Sequence, residues 1–132
     1  MNPYLSFNGN CKEAFDFYTT RLGATVSMMM TLAESPMADQ VPPEHRQRIM
    51  HARLQFGADT LMGSDTMPGQ PFNGLHGFSL SLNPTDPAEA ERLFAALSEG
   101  GQVTMPLSQT FWARKFGMVT DRFGVPWMVN CE

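Results

Sequence analysis

The chain has 132 residues, a hydrophobic fraction of 42% and a net charge of −4 at pH 7. That length suits one compact domain with a real core. The acidic balance, with nine scattered Lys and Arg residues, excludes the basic patch that nucleic acid requires. No apolar run approaches the ~18 residues of a membrane span, and no basic n-region with an apolar h-region opens the chain. A cytoplasmic protein is therefore expected, with Cys11 and Cys131 reduced and structural rather than bridged.

Tyr4 to Phe7 alternates and reads as a short strand. Asn8-Gly9-Asn10 breaks it, and Asn10 with Glu13 three residues on suggests a capping box opening a helix. Ala14, Phe15, Phe17, Tyr18 and Leu22 recur at helical spacing, and Gly23 supplies the stop. Residues 24–32 read as a second strand rich in Thr, Val and Met. Residues 33–47, with Pro36, Pro42 and Pro43, read as a long loop without period. Ile49 to Phe56 alternates cleanly, with Ala52, Leu54 and Phe56 on one side and His51, Arg53 and Gln55 on the other. Gly57-Ala58-Asp59 turns the chain, and Thr60 to Ser64 returns as a hairpin.

A linker over residues 65–74 follows, rich in Pro and Gly. His76 to Asn83 alternates as a strand, and Asp86-Pro87 opens a second helix as N-cap and N1, with Ala90, Leu93, Phe94 and Leu97 as its buried stripe. Gly100-Gly101 ends it. Gln102 to Met105 is the next strand, broken by Pro106. The run from Thr110 to Asn130 then reads as a loop, a strand, a tight Asp121-Arg122-Phe123-Gly124 turn and a closing strand.

The two halves repeat. Glu13-Ala14 with Phe17-Tyr18 answers Glu89-Ala90 with Leu93-Phe94, Gly23 and Val26 answer Gly100 and Val103, and Phe56-Gly57 answers Phe123-Gly124. The expected fold is α+β: one domain over residues 1–132, made of two tandem βαβββ modules over about 1–65 and 75–132.

Pro3-Tyr4-Leu5 with Phe7, Gly9-Asn10-Cys11, Glu13-Ala14-Phe15, Phe17-Tyr18, Leu22-Gly23, Met50-His51-Ala52, Leu61-Met62-Gly63-Ser64-Asp65, Phe78-Ser79-Leu80-Ser81, Thr110-Phe111-Trp112 and Asp121 to Trp127 together carry a resemblance. The chain resembles the vicinal-oxygen-chelate superfamily of glyoxalases, bleomycin-resistance proteins and extradiol dioxygenases, and more narrowly its PhnB-like branch. Some relatives in that branch carry a 3-demethylubiquinone 3-methyltransferase label. The resemblance implies a curved mixed sheet around a cleft, a small molecule bound in its concave face, and a homodimer.

It also implies metal positions on the first and last strands of each module. Carried over, these fall near Asn2 or Tyr4, near Leu61, at Gly77 and at Met128. None is a usual ligand for a divalent metal, since thioether is soft. His51 and His76 could form a shifted site but fall short of the usual ligand count. No metal ligand and no cofactor is therefore assigned, and a divalent metal is disfavoured.

His51 and Arg53 are the candidate catalytic residues: Arg53 could grip an anion and His51 could act as a base. The plainer reading of Arg53 is an ion pair, with Asp65 as partner. Tyr4, His51, Arg53, Gln55, Phe111, Trp112 and Met128 are the candidate ligand-binding residues. Phe111 and Trp112 serve equally as dimer or core packing. Trp127, of opposite parity to Met128, is expected beneath a helix.

Binding of a small molecule without the usual metal is the primary expectation. An enzyme of lyase, isomerase or dioxygenase type, using an altered metal site or His51 and Arg53, is the alternative. Methyl transfer is not expected, because no glycine-rich strand-to-helix turn of the nucleotide-binding kind is present.

Overall fold

The computed structural model describes residues 1–132, which form two compact units, Met1–Asn73 and Gly74–Glu132. The first unit contains β1 (Tyr4–Phe7), α1 (Cys11–Leu22), β2 (Thr25–Thr31), β3 (Ile49–Phe56) and β4 (Asp59–Asp65). Its four-stranded sheet has the order β1-β4-β3-β2, with β1 parallel to β4 and the other pairs antiparallel. The second unit contains β5 (Leu80–Leu82), α2 (Pro87–Ser98), β6 (Gln102–Ser108), β7 (Lys115–Thr120) and β8 (Pro126–Cys131). Its sheet repeats the pattern as β5-β8-β7-β6, again with one parallel pair. The fold is α+β, two tandem βαβββ modules.

The register repeats too. The β2/β3 pairing shifts between Val26 and Met28, and the β6/β7 pairing shifts between Val103 and Met105. An extra residue at the same place in each module is a bulge, which bends the edge strand and strengthens its twist.

The core follows the alternation. Ala52, Leu54 and Leu61 are buried in the first unit with Phe15 and Tyr18 of α1; Val119, Trp127 and Val129 are buried in the second with Ala90, Phe94 and Leu97 of α2. Each fully buried large apolar side chain contributes ~1.5–3 kcal/mol. Helix and sheet approach closely where a side chain is missing. A Cβ on Gly117 of β7 would lie 2.6 Å from the Phe94 ring, and one on Gly63 of β4 would lie 3.0 Å from the Phe15 ring. Each glycine thus lets an aromatic ring of the helix rest directly on the sheet backbone.

Four local expectations need correction. Asn10 stands at the N-cap of α1 but its side chain makes no cap. Asp65 at the end of β4 does so instead: its Oδ1 accepts from the Gly9 and Cys11 amides at 2.9 and 3.0 Å. In α2 the expected cap holds, with Asp86 accepting from the Ala88 amide at 3.3 Å. The strand expected over 76–83 is only Leu80–Leu82, because Gly77 has φ 83° and β5 pairs with β8 over three residues. Pro106 does not end β6, which runs on to Ser108. β6 is an edge strand with a register shift between Met105 and Ser108, so the missing proline N–H breaks no needed ladder bond.

Residues 33–47 are also less irregular than expected. They lie among three single-turn 3-10 segments at Leu32–Glu34, Ala38–Gln40 and Pro43–His45. Arg46 Nε ties the segment together by donating to the Ala38 and Val41 carbonyls, and Arg48 donates to the Thr66 carbonyl and hydroxyl. No helix is long and apolar enough to cross a membrane.

Candidate functional site

The alternation of β3 sends Ala52 and Leu54 into the core and leaves His51, Arg53 and Gln55 on the helix-free face of the first sheet. Register then sets their neighbours. Tyr4 pairs with Met62, Met62 with Arg53, and Arg53 with Met28, so these four share one rung across the sheet. His51 is two residues from Arg53 on the same face and pairs with Met30.

Tyr4 and His51 are coupled. Their rings stack at 5.7 Å with an interplanar angle of 28°, and the Tyr4 hydroxyl lies 3.1 Å from His51 Nδ1. The contact orients the imidazole and leaves Nε2 as the ring nitrogen turned away from Tyr4. Tyr4 is 47% exposed, so the pair is open to solvent. Gln55 sits at the far end of the face, where its Oε1 accepts from the Thr60 hydroxyl at 3.1 Å.

Arg53 is exposed and makes no ion pair. The partner suggested for it, Asp65, points the other way. Asp65 is buried with both oxygens engaged, Oδ1 by Gly9 and Cys11 and Oδ2 by the Ile49 amide at 2.8 Å. The parity of β4 decides this, since Gly63 and Asp65 face inward while Met62 and Ser64 face out.

Cys11 begins α1 beside Asp65 and is fully buried. Burial pushes its thiol well above the ordinary range, and the neighbouring Asp65 charge pushes the same way. It is a structural thiol, as expected, and not a nucleophile.

Phe111, Trp112 and Met128 lie in the second unit. Thr110 shapes the bend before β7: its hydroxyl accepts from the Ala113 amide at 3.1 Å, and its own amide donates to the Ala113 carbonyl. Phe111 is left 98% exposed, edge-on to Trp112 at 4.8 Å. Trp112 in turn packs on Phe116 at 5.2 Å and donates its indole N–H to Asn130 Oδ1 at 3.2 Å. Phe116 and Asn130 pair across β7 and β8 and were not anticipated. They follow from the parity that picked out Met128, because Asn130 is two residues on and Phe116 is two from Met118, the partner of Met128.

Trp127 is buried as expected, and its indole N–H donates to Asp121 at 2.8 Å. Asp121 also accepts from the Phe123 and Val125 amides, which locks the turn before β8. A cavity of ≈ 420 Å³, also unanticipated, is lined by Asn83, Pro84, Thr85, Arg114, Asn130 and Glu132. Arg114 frames it by donating to the Thr85 carbonyl at 2.6 Å and the Glu132 carbonyl at 2.8 Å.

The carried-over metal positions shift. Leu61 is 3% exposed on the helix side, and the residue opposite Tyr4 is Met62. Gly77 lies outside the strand, and the β5 residue opposite Met128 is Ser81. His51 has Nδ1 engaged by Tyr4, and His76 lies exposed outside β5 in the other unit. No group of three His, Cys, Asp or Glu side chains is placed to hold a metal ion. Tyr4 and Met62 in the first unit, and Ser81 and Met128 in the second, carry no imidazole or carboxylate donor, so neither pair fits a hard divalent ion.

The sequence matches the model of the family described as 3-demethylubiquinone-9 3-methyltransferase over residues 1–130. The chain belongs to this family. That description is the label borne by the PhnB-like branch, so the resemblance read from the sequence holds. Protein YjdN of Escherichia coli (strain K12) is 37% identical over 138 residues, covering 98% of this chain and 93% of the relative. The crystal structure of protein PA1353 from Pseudomonas aeruginosa superposes with a TM-score of 0.92 at 55% identity, covering 100% of this chain and 96% of that one. A glyoxalase-related enzyme from Fulvimarina pelagi shares the fold at a TM-score of 0.61 and 16% identity, with 98% and 86% of the two chains covered. The chain thus shares its fold with a glyoxalase-related enzyme.

Proposed function

We propose that this family member binds a small organic anion on the helix-free face of its first unit, with Arg53 as anchor. The observation that carries the proposal is the exposed Arg53 guanidinium, free of any ion pair, on the same face as the coupled Tyr4–His51 pair. A guanidinium without a carboxylate of its own is ready for bidentate contact with a carboxylate or phosphate. Met28 and Met62 flank it on the same rung and offer adaptable apolar contact to the rest of the ligand. The proposal needs no divalent metal and includes no methyl transfer. The two buried free thiols suit a reducing, cytoplasmic setting.

Calorimetry at low salt with a panel of small carboxylates and phosphates tests it. Native protein should bind at least one anion, EDTA should leave the affinity unchanged, and Arg53→Gln should weaken it about tenfold or more, the scale of a charge-assisted contact. Equal affinity in Arg53→Gln, or loss of binding on chelation, would overturn the reading.

The Tyr4–His51 hydrogen bond favours a second reading, catalysis with His51 Nε2 beside the bound anion. Turnover of a bound anion that is lost in His51→Ala while binding persists would establish it.

A further inference from the structure

The second unit carries three methionines in one rung. Met105 of β6 pairs with Met118 of β7, and Met118 pairs with Met128 of β8. Residues directly opposite on an antiparallel ladder project to the same side. That side is the helix-free one, because Val119, Trp127 and Val129 fill the other against α2. The three side chains stay partly open, Met105 at 37%.

Neighbouring strands lie ~4.8 Å apart, and a methionine sulfur rides on a flexible, unbranched chain. The outer two side chains can therefore lean over the central one and bring three thioethers round a single point. Same-face residues on either side are Gln102, Thr120 and Pro126, then Ser108, Phe116 and Asn130, none of them cationic. Lys115 lies toward α2, paired with Glu91 at 3.1 Å.

The equivalent rung of the first unit makes the contrast. It reads Tyr4, Met62, Arg53 and Met28, so a guanidinium stands where the second unit has its central methionine. The same scaffold position suits an anion in one module and excludes a cation there.

We propose that Met105, Met118 and Met128 form a binding site for a soft monovalent cation, Cu(I) or its redox-inert surrogate Ag(I). Thioether donors without carboxylate or imidazole select such ions over zinc, iron or magnesium. The proposal is independent of the anion site. It is also separable from a purely apolar role for the three side chains, because Met→Leu keeps their volume and apolarity and removes only the sulfur.

The test uses the full chain with its eleven methionine methyls isotopically labelled, titrated with Ag(I) and followed by NMR. The Met105, Met118 and Met128 methyl signals should shift together and saturate at one equivalent, and Zn(II) should move none of them. Met118→Leu should weaken the response tenfold or more, and Met105→Leu, at the exposed edge strand, provides the same reading should the first variant misfold. Titrating both in a Cys11→Ala, Cys131→Ala background keeps silver taken up by the thiols out of the comparison. Shifts spread over all methionines alike, unchanged silver affinity in the leucine variants, or an equal response to Zn(II) would overturn the proposal.

Discussion

Cys11 opens α1, where the helix dipole favours a thiolate, yet burial and the Asp65 charge hold its proton on. Burial wins because no solvent reaches the sulfur and the nearest charge is negative. The raised thiol has a pH consequence. Below its ordinary value of 9.0 both folded and unfolded states keep the proton, and the stability is fully present. Above it the unfolded chain releases the proton while the folded one retains it, so stability falls as pH rises. Urea unfolding of native protein should therefore weaken between pH 8 and pH 10, and Cys11→Ala should flatten that decline by about 1 kcal/mol. An identical pH slope in the variant would refute the account. Arg53 is governed the same way by its surroundings. Its cross-strand partners Met28 and Met62 are apolar, and the carboxylate that could have neutralised it is committed to backbone amides.

The two helices are begun by different devices. α2 is capped from within its own segment by Asp86 and Pro87, both legible as a motif. α1 is capped across the sheet by Asp65, which also holds the Ile49 amide where β3 begins. One carboxylate thus fastens β4 to α1 and β3. Asp65→Ala leaves three backbone donors without it, and should cost ~2–4 kcal/mol in urea unfolding. Asp65→Asn keeps an acceptor and should cost less. A loss below ~0.5 kcal/mol for the alanine variant would show that water or Asn10 takes over the cap.

At the scale of the molecule, two modules of one plan carry different surfaces. The first presents Tyr4, His51 and Arg53; the second presents Phe111, Trp112, Phe116 and a methionine rung. A fully exposed phenylalanine lies edge-on to a half-exposed tryptophan and leaves apolar surface in water. We propose that a second copy of the chain covers it, in line with the homodimer implied by the family resemblance. Sedimentation equilibrium should then give about twice the 14.7 kDa chain mass, and Phe111→Ser should shift the population toward monomer. A native protein that sediments as monomer at micromolar concentration would reject this.

The sequence by itself determined the α+β class, the tandem βαβββ plan and the parity of β3. Those rest on short-range periodicity, repeated motifs and turn residues, which are local in the chain. His51, Arg53 and Gln55 were placed on the helix-free face for that reason. Only the tertiary structure decided what lies beside them. Strand register is a long-range property, and a slip of one residue exchanges the two faces of a strand. It put Met62 rather than Leu61 opposite Tyr4, turned Asp65 away from Arg53 and into the α1 cap, and aligned Met105, Met118 and Met128 in one rung. The run from Thr110 to Asn130 set the fold, but the chemistry proposed for it rests on Met105 of β6 and on the register of β6, β7 and β8, which no local pattern names.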